Sequence, residues 1–122
     1  MTTTADTTWV AVCPLADLAV ERGAAALLGD VQVALFRLAD GTVHAVQQLD
    51  PFSGANVMSR GIVGTRGGEP TVAGPMYKQV YSLRSGLCLD PVGYEPRPGH
   101  EPVLVTYPVD VRGGVVHVGA AR

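Results

Sequence analysis

Gly74-Pro-Met-Tyr-Lys-Gln-Val-Tyr-Ser-Leu-Arg-Ser-Gly86 is the stretch whose reading decides the fold. Its first half, Gly74 to Gln79, has no period and reads as a loop. Its second half opens a small hairpin, with Val80 to Leu83 and Leu87 to Leu89 around the turn Arg84-Ser-Gly86. Just upstream, Ile62-Val63 and Thr71 to Ala73 predict two more short strands, joined by the turn Arg66-Gly-Gly-Glu-Pro70. Before those lies Asp50 to Gly61, a second aperiodic segment and a long loop.

Further out the pattern is regular. Thr7 to Cys13 is β-branched and aromatic and predicts a first strand, followed by one short helical turn over Pro14 to Leu18. Ala24 to Leu28, Val31 to Leu38 and Thr42 to Leu49 predict an antiparallel meander, with Asp40-Gly41 as its strongest turn signal. Asp90 to Pro102 carries Pro91, Pro96, Pro98 and Pro102 and cannot be regular. Val103 to Val111 and Val115 to Val118 predict a terminal hairpin across Arg112-Gly-Gly114. Many short strands at even spacing mean an all-β sandwich or barrel. Residues 1–6 are expected to be a flexible polar tail and residues 7–119 a single domain.

Composition agrees. Among 122 residues, 19 are Val against one Ile, and 15 Gly with 9 Pro leave little room for long helices. Hydrophobic residues at 47% and charged residues at 16% suffice for one core. A net charge of −2 without a basic run argues against a nucleic-acid partner. No apolar run is long enough to span a membrane, and Met1 to Asp6 has no signal-peptide character, so a cytoplasmic location is expected. Cys13 and Cys88 are too far apart for a CxxC ligand pair and read as free, apolar thiols in a reducing compartment.

Catalytic constellations are absent from the pattern. His44 and His117 fit alternating strands, His100 lies in the Pro-rich segment, and no two histidines have metal-ligand spacing. The glycine pairs Gly67-Gly68 and Gly113-Gly114 precede no helix and are turns, not phosphate loops.

One architecture accounts for both irregular loops. Gly74 to Gly86 resembles the second cluster-binding loop of Rieske proteins, Cys-Pro-x-His-Gly-x-x-Phe-x-Leu-x-x-Gly. Pro75, Tyr81 in place of Phe, Leu83 and Gly86 fall in register. Asp50 to Gly61 resembles the first loop, Cys-x-His-x-Gly-x-x-Leu-x-x-Gly. The resemblance runs from about Trp9 to Val118 and implies a Rieske-like fold, an antiparallel β-sandwich or barrel with a small loop-bearing subdomain. A Rieske [2Fe–2S] cluster takes two thiolates and two imidazoles. Here Gly74 stands for Cys and Tyr77 for His in the second loop; in the first, Asp50 or Pro51 stands for Cys and Phe52 or Ser53 for His. The scaffold is expected to have its metal site filled by other side chains, with Phe52, Met58, Met76 and Tyr77 as candidate plugs.

Asp50-Pro51-Phe52, then Val57-Met58-Ser59-Arg60-Gly61, Pro75, Gln79 before Tyr81, and Gly86-x-Cys88 together resemble the small subunits of assimilatory NAD(P)H-dependent nitrite reductases. That resemblance implies an accessory, non-catalytic subunit without redox cofactors of its own. Its partner would be a large subunit carrying FAD, siroheme and a [4Fe–4S] cluster, which reduces nitrite to ammonia in nitrate assimilation. Arg60, Met76, Tyr77 and Lys78 are then the candidate docking residues, expected in one patch. The alternative is a Rieske-type [2Fe–2S] electron-transfer protein, against which the missing ligands speak.

Overall fold

The computed structural model describes residues 8–119. The tail expected over residues 1–6 lies outside them. Among the described residues, eleven strands form three antiparallel sheets. The first joins β1 (Val10–Pro14), β11 (Val115–Val118) and β10 (Val109–Arg112). The second has the order β2 (Gly23–Leu28), β3 (Val31–Arg37), β4 (Val43–Gln47), β9 (Thr106–Tyr107). The third runs β5 (Ile62–Arg66), β6 (Glu69–Ala73), β7 (Val80–Ser82), β8 (Cys88–Asp90). Two 3-10 turns, Leu15–Asp17 and Met58–Arg60, are the helical content among the described residues.

The second sheet is the middle layer, and β3 shows why. Val33, Ala34, Leu35 and Phe36 are all buried, an unbroken apolar run of the kind a strand needs when both faces are covered. Side chains alternate between two cores. Val33 and Leu35 join Leu18, Ala45, Val116 and Val118 under the first sheet. Ala34 and Phe36 join Val46, Phe52, Met58, Val72, Tyr81, Leu83 and Leu104 under the third. The cysteines divide between these cores, Cys13 at the first and Cys88 at the second. Both are free thiols whose pKa burial pushes up; the Asp17 charge adds to the effect at Cys13, while at Cys88 a backbone hydrogen bond at Asp90 opposes it and the Asp90 and Asp50 charges add to it.

Two boundaries differ from the sequence reading. The expected strand Val103 to Val111 is broken: β9 pairs with β4 in the second sheet, and β10 pairs with β11 in the first. Pro108 stands at the switch, where its missing N–H cannot continue a ladder. Conversely, β5 and β6 run right up to Gly67-Gly68, which reach φ 57 and φ 83. Those are the values of a type I′ hairpin turn, so Arg66 and Glu69 stay paired instead of belonging to a longer turn.

Candidate functional site

The two irregular loops meet at one end of the third sheet. The first, between β4 and β5, is organised by two side chains. Asp50, fully buried, accepts hydrogen bonds from the Phe52 amide at 2.9 Å and the Ser53 hydroxyl at 2.9 Å. This is an Asx turn, and the bonds compensate the burial of a carboxylate. Gln48 closes the far end: its amide donates to Ser59 Oγ at 2.9 Å, and its Oε1 accepts from the Ser59 amide at 2.6 Å. The second loop, between β6 and β7, is a tight arch in which the Gly74 amide donates to the Gln79 carbonyl at 2.9 Å. Lys78 closes it with φ 67, an unfavourable value for a residue with a Cβ.

The space between the two loops is filled by side chains. A Cβ on Gly74 would stand 3.7 Å from Asp50 Oδ2 and 3.7 Å from Met58 Sδ. Met58 is fully buried there, and Phe52 is buried beside it, edge-on to Tyr81 with ring centroids 6.3 Å apart. Asp50, Pro51, Phe52, Ser53, Gly74 and Tyr77 of the two loops bring neither a thiolate nor an imidazole. Cys13 and Cys88 lie on strands, outside both loops. Among the described residues no group of three or more His, Cys, Asp or Glu could hold a metal ion. The donor set does not fit a [2Fe–2S] cluster.

Of the four expected plugs, Phe52 and Met58 are in the core, while Met76 is 52% and Tyr77 41% exposed. Met76 and Tyr77 are therefore surface residues: the arch is too tight to turn its tip inward. A third element explains how the tip is held. Segment 91–102 crosses both loops as a strap. The Arg97 amide donates to the Pro51 carbonyl at 3.0 Å and its guanidinium to the Ser53 carbonyl at 3.3 Å. Tyr94 stacks on Tyr77 with centroids 5.0 Å apart and planes inclined by 24°. Gln79 Nε2 donates to the Pro91 carbonyl at 3.4 Å. The strap turns at Val92 (φ 54) and Gly93 (φ 78).

Tyr94, Arg97 and Gln48 were not singled out from the sequence. Four prolines mark the strap as irregular, but nothing local says what it crosses. Arg60 lines a depression with Glu21, Arg22, Gly23, Ser59 and Ile62, while Tyr77 pairs with Tyr94 across the loops.

Two buried polar atoms beneath this tip, Gln79 Oε1 and Tyr81 Oη, have no hydrogen-bond partner among the described residues. The Tyr81 phenol faces the Asp50 carboxylate; burial first, then that charge and Cys88, push its pKa far upward, so it stays protonated. Gln79 and Tyr81 form no nucleophile–base pair with each other.

A fold of three small antiparallel sheets with two converging loops is the class described as the Rieske-like [2Fe–2S] domain, and the chain belongs to that family, whose model matches residues 8–119. Within it the chain groups with nitrite reductase small subunits. It is 42% identical over 83 residues to the nitrite reductase (NADH) small subunit of Escherichia coli, covering 67% of this chain and 77% of that protein. It superposes with a TM-score of 0.82 on the crystal structure of a Mycobacterium tuberculosis chain assigned as an NADH-dependent nitrite reductase small subunit, at 46% identity over 95% of this chain and 97% of the other. It is also 43% identical over 111 residues to the nitrite reductase [NAD(P)H] large subunit of Klebsiella oxytoca. There the match takes in 91% of this chain but spans only 11% of the longer protein.

Proposed function

We propose that this chain is the accessory small subunit of an NAD(P)H-dependent nitrite reductase and works by docking on the large subunit. The observation that carries this reading is the Klebsiella oxytoca relative, in which a stretch 43% identical to this chain is part of the polypeptide named as the large subunit. A module joined covalently to a catalytic chain in one protein is at high effective concentration beside it. The same module on a separate chain must reach that position by affinity. Flavin, siroheme and [4Fe–4S] cluster belong to the large subunit in this reading. The small subunit holds no redox cofactor, since its loops supply none of the thiolates and imidazoles a Rieske cluster takes. Its place of work is the cytoplasm; no helix among the described residues is long and apolar enough to cross a membrane.

The docking face is the loop tip: Met76, Tyr77 and Lys78 of the second loop, with Tyr94 of the strap. Two stacked, half-exposed tyrosines beside an exposed methionine give apolar area with little rotamer entropy left to lose, which favours a binding surface. The positive φ of Lys78 and Val92, on either side of the stack, supports the same reading, because strained backbone gathers at binding and switching sites.

The double variant Tyr77→Ala, Lys78→Glu tests it. Both side chains are exposed, so circular dichroism should stay native. Pull-down by a tagged large subunit should weaken, and NAD(P)H-dependent nitrite reduction by the reconstituted pair should fall, with siroheme and flavin content unchanged. Unaltered binding and turnover in a folded variant would place the docking face elsewhere.

A further inference from the structure

A second feature lies apart from the tyrosine tip. Where β2 begins, the chain passes so close to the 3-10 turn Met58–Arg60 that a Cβ on Gly23 would run into the Ser59 carbonyl and come within 2.8 Å of Phe36 Cε1. Gly61, one residue past that turn, is equally crowded: a Cβ there would meet Val72 Cγ2 at 2.7 Å. Neither glycine has a positive φ. Both are required by close approach of backbones, not by turn conformation. The result is a cleft of about 340 Å³ with bare backbone at Gly23 and Gly61. Arg22 and Arg60 line it, with Glu21, Ser59 and the exposed Ile62.

The two guanidinium groups have no partner among the described residues. There the ion pairs are Arg66 with Asp90 and Arg112 with Asp110. Arg37 donates to the Leu15 and Leu18 carbonyls, and Arg97 to Ser53. Arg22 and Arg60 make no such side-chain bond, although Glu21 lines the same cleft. Ser59 is tied to Gln48 on both its amide and its hydroxyl, which fixes the turn that carries Arg60. Two like charges sharing one concave site repel each other, and an anion between them reverses the sign of that interaction. Arginine is also enriched at interfaces relative to the rest of a protein's surface. The chain as a whole carries −2, so this cationic cleft is a local departure from its net charge.

We propose that the cleft seats an Asp or Glu side chain of the large subunit, gripped between Arg22 and Arg60, with Ile62 giving the apolar contact at its edge. The proposal rests on the reading of this chain as that enzyme's small subunit, and makes the contact two-sited: an aromatic tip and a cationic cleft. A guanidinium grips a carboxylate through two parallel hydrogen bonds, which an ammonium cannot reproduce.

The experiment measures affinity of the full-length chain for the purified large subunit at low and at high salt. Three forms are compared: wild type, Arg22→Glu with Arg60→Glu, and Arg22→Lys with Arg60→Lys. Wild-type affinity should fall as salt rises, because the cleft is open to solvent and screened. The charge-reversed form should bind at least about tenfold more weakly at low salt, and its salt slope should flatten or reverse, because two carboxylates then face the partner's acid. The lysine form should keep the salt dependence while losing part of the affinity, an outcome that bulk or fold defects would not produce. In Tyr77→Ala the salt dependence should persist, since the aromatic tip is a separate contact. If wild type binds and the charge-reversed form matches it in affinity and salt slope, the cleft is not a docking site and the functional reading stands. If wild type itself fails to bind the large subunit, the functional reading falls, and this proposal with it.

Discussion

Val92 stands at φ 54 with Gly93 at φ 78 behind it, and the Tyr94 amide donates to the Pro91 carbonyl at 3.1 Å. Those φ values are those of a type I′ turn, whose first central position suits Asn and penalises a β-branched residue. Val92→Asn should therefore raise stability, by about 1 kcal/mol on the usual cost of left-handed backbone. The midpoint of urea unfolding checks this, and a drop would mean that the half-exposed valine packs more usefully than its conformation suggests. Phe52 makes the opposite case. It is buried beside Met58 and edge-on to Tyr81 at 6.3 Å, between the two loops. Phe52→Ala should cost about 3–5 kcal/mol, because no cluster staples remain to hold the loops once the ring is gone. A loss near zero in the same denaturation experiment would show that the ring is not a plug.

At the scale of elements, the β3–β4 hairpin carries a pH response. Asp40 accepts from the Thr42 amide at 2.9 Å and the Thr42 hydroxyl at 2.7 Å, and Thr42 Oγ1 lies 3.2 Å from His44 Nε2. Burial lowers the His44 pKa more than the Asp40 charge raises it, and Arg84 lowers it further. The unfolded chain then takes up the His44 proton more readily than the folded one. The stability His44 contributes is complete above its unfolded value of about 6.5 and is lost as pH falls through that value toward the lower folded one. Unfolding midpoints should drop between about pH 7 and about pH 5, and His44→Gln should flatten that part of the profile. An NMR titration of His44 with a midpoint at or above the free-histidine value would overturn this expectation. The strap is the other element with a specific role. In it Arg97 ties the first loop and Tyr94 the second, and the arch of Gly74 to Gln79 keeps its shape between them.

Across the whole molecule, the second sheet belongs to both cores and the third carries the loops, so the architecture stands on side-chain packing without any metal. Packing by Phe52, Met58 and Tyr81, and the hydrogen bonds that Asp50 accepts, hold the two loops together. Expressed alone, the protein should be colourless and free of iron and acid-labile sulfide. Near-stoichiometric iron with a Rieske-like visible spectrum after anaerobic purification would refute that. What the module then offers is surface: stacked tyrosines at the tip and a two-arginine cleft at the start of β2.

Much of this was legible in the order of residues. Val-rich runs, Asp-Gly and Gly-Gly turns and two aperiodic loops at fixed spacing are local signals, and they suffice for an all-β fold, for the positions of most strands and for the absence of cluster ligands. Gly74 and Tyr77 cannot supply a thiolate or an imidazole whatever surrounds them. Only the tertiary structure decided which side chains meet. Val103 to Val111 reads as one strand, yet it leaves one sheet for another at Pro108, because the partners β4 and β11 lie in different layers. Met58 and Met76 are the same residue type in two similar loops. One is buried and the other exposed, since the first loop folds back over the core while the second arches away from it. The Tyr77–Tyr94 stack and the Arg22–Arg60 cleft each join residues far apart in the chain, and sequence separation carries no record of a contact that only packing creates.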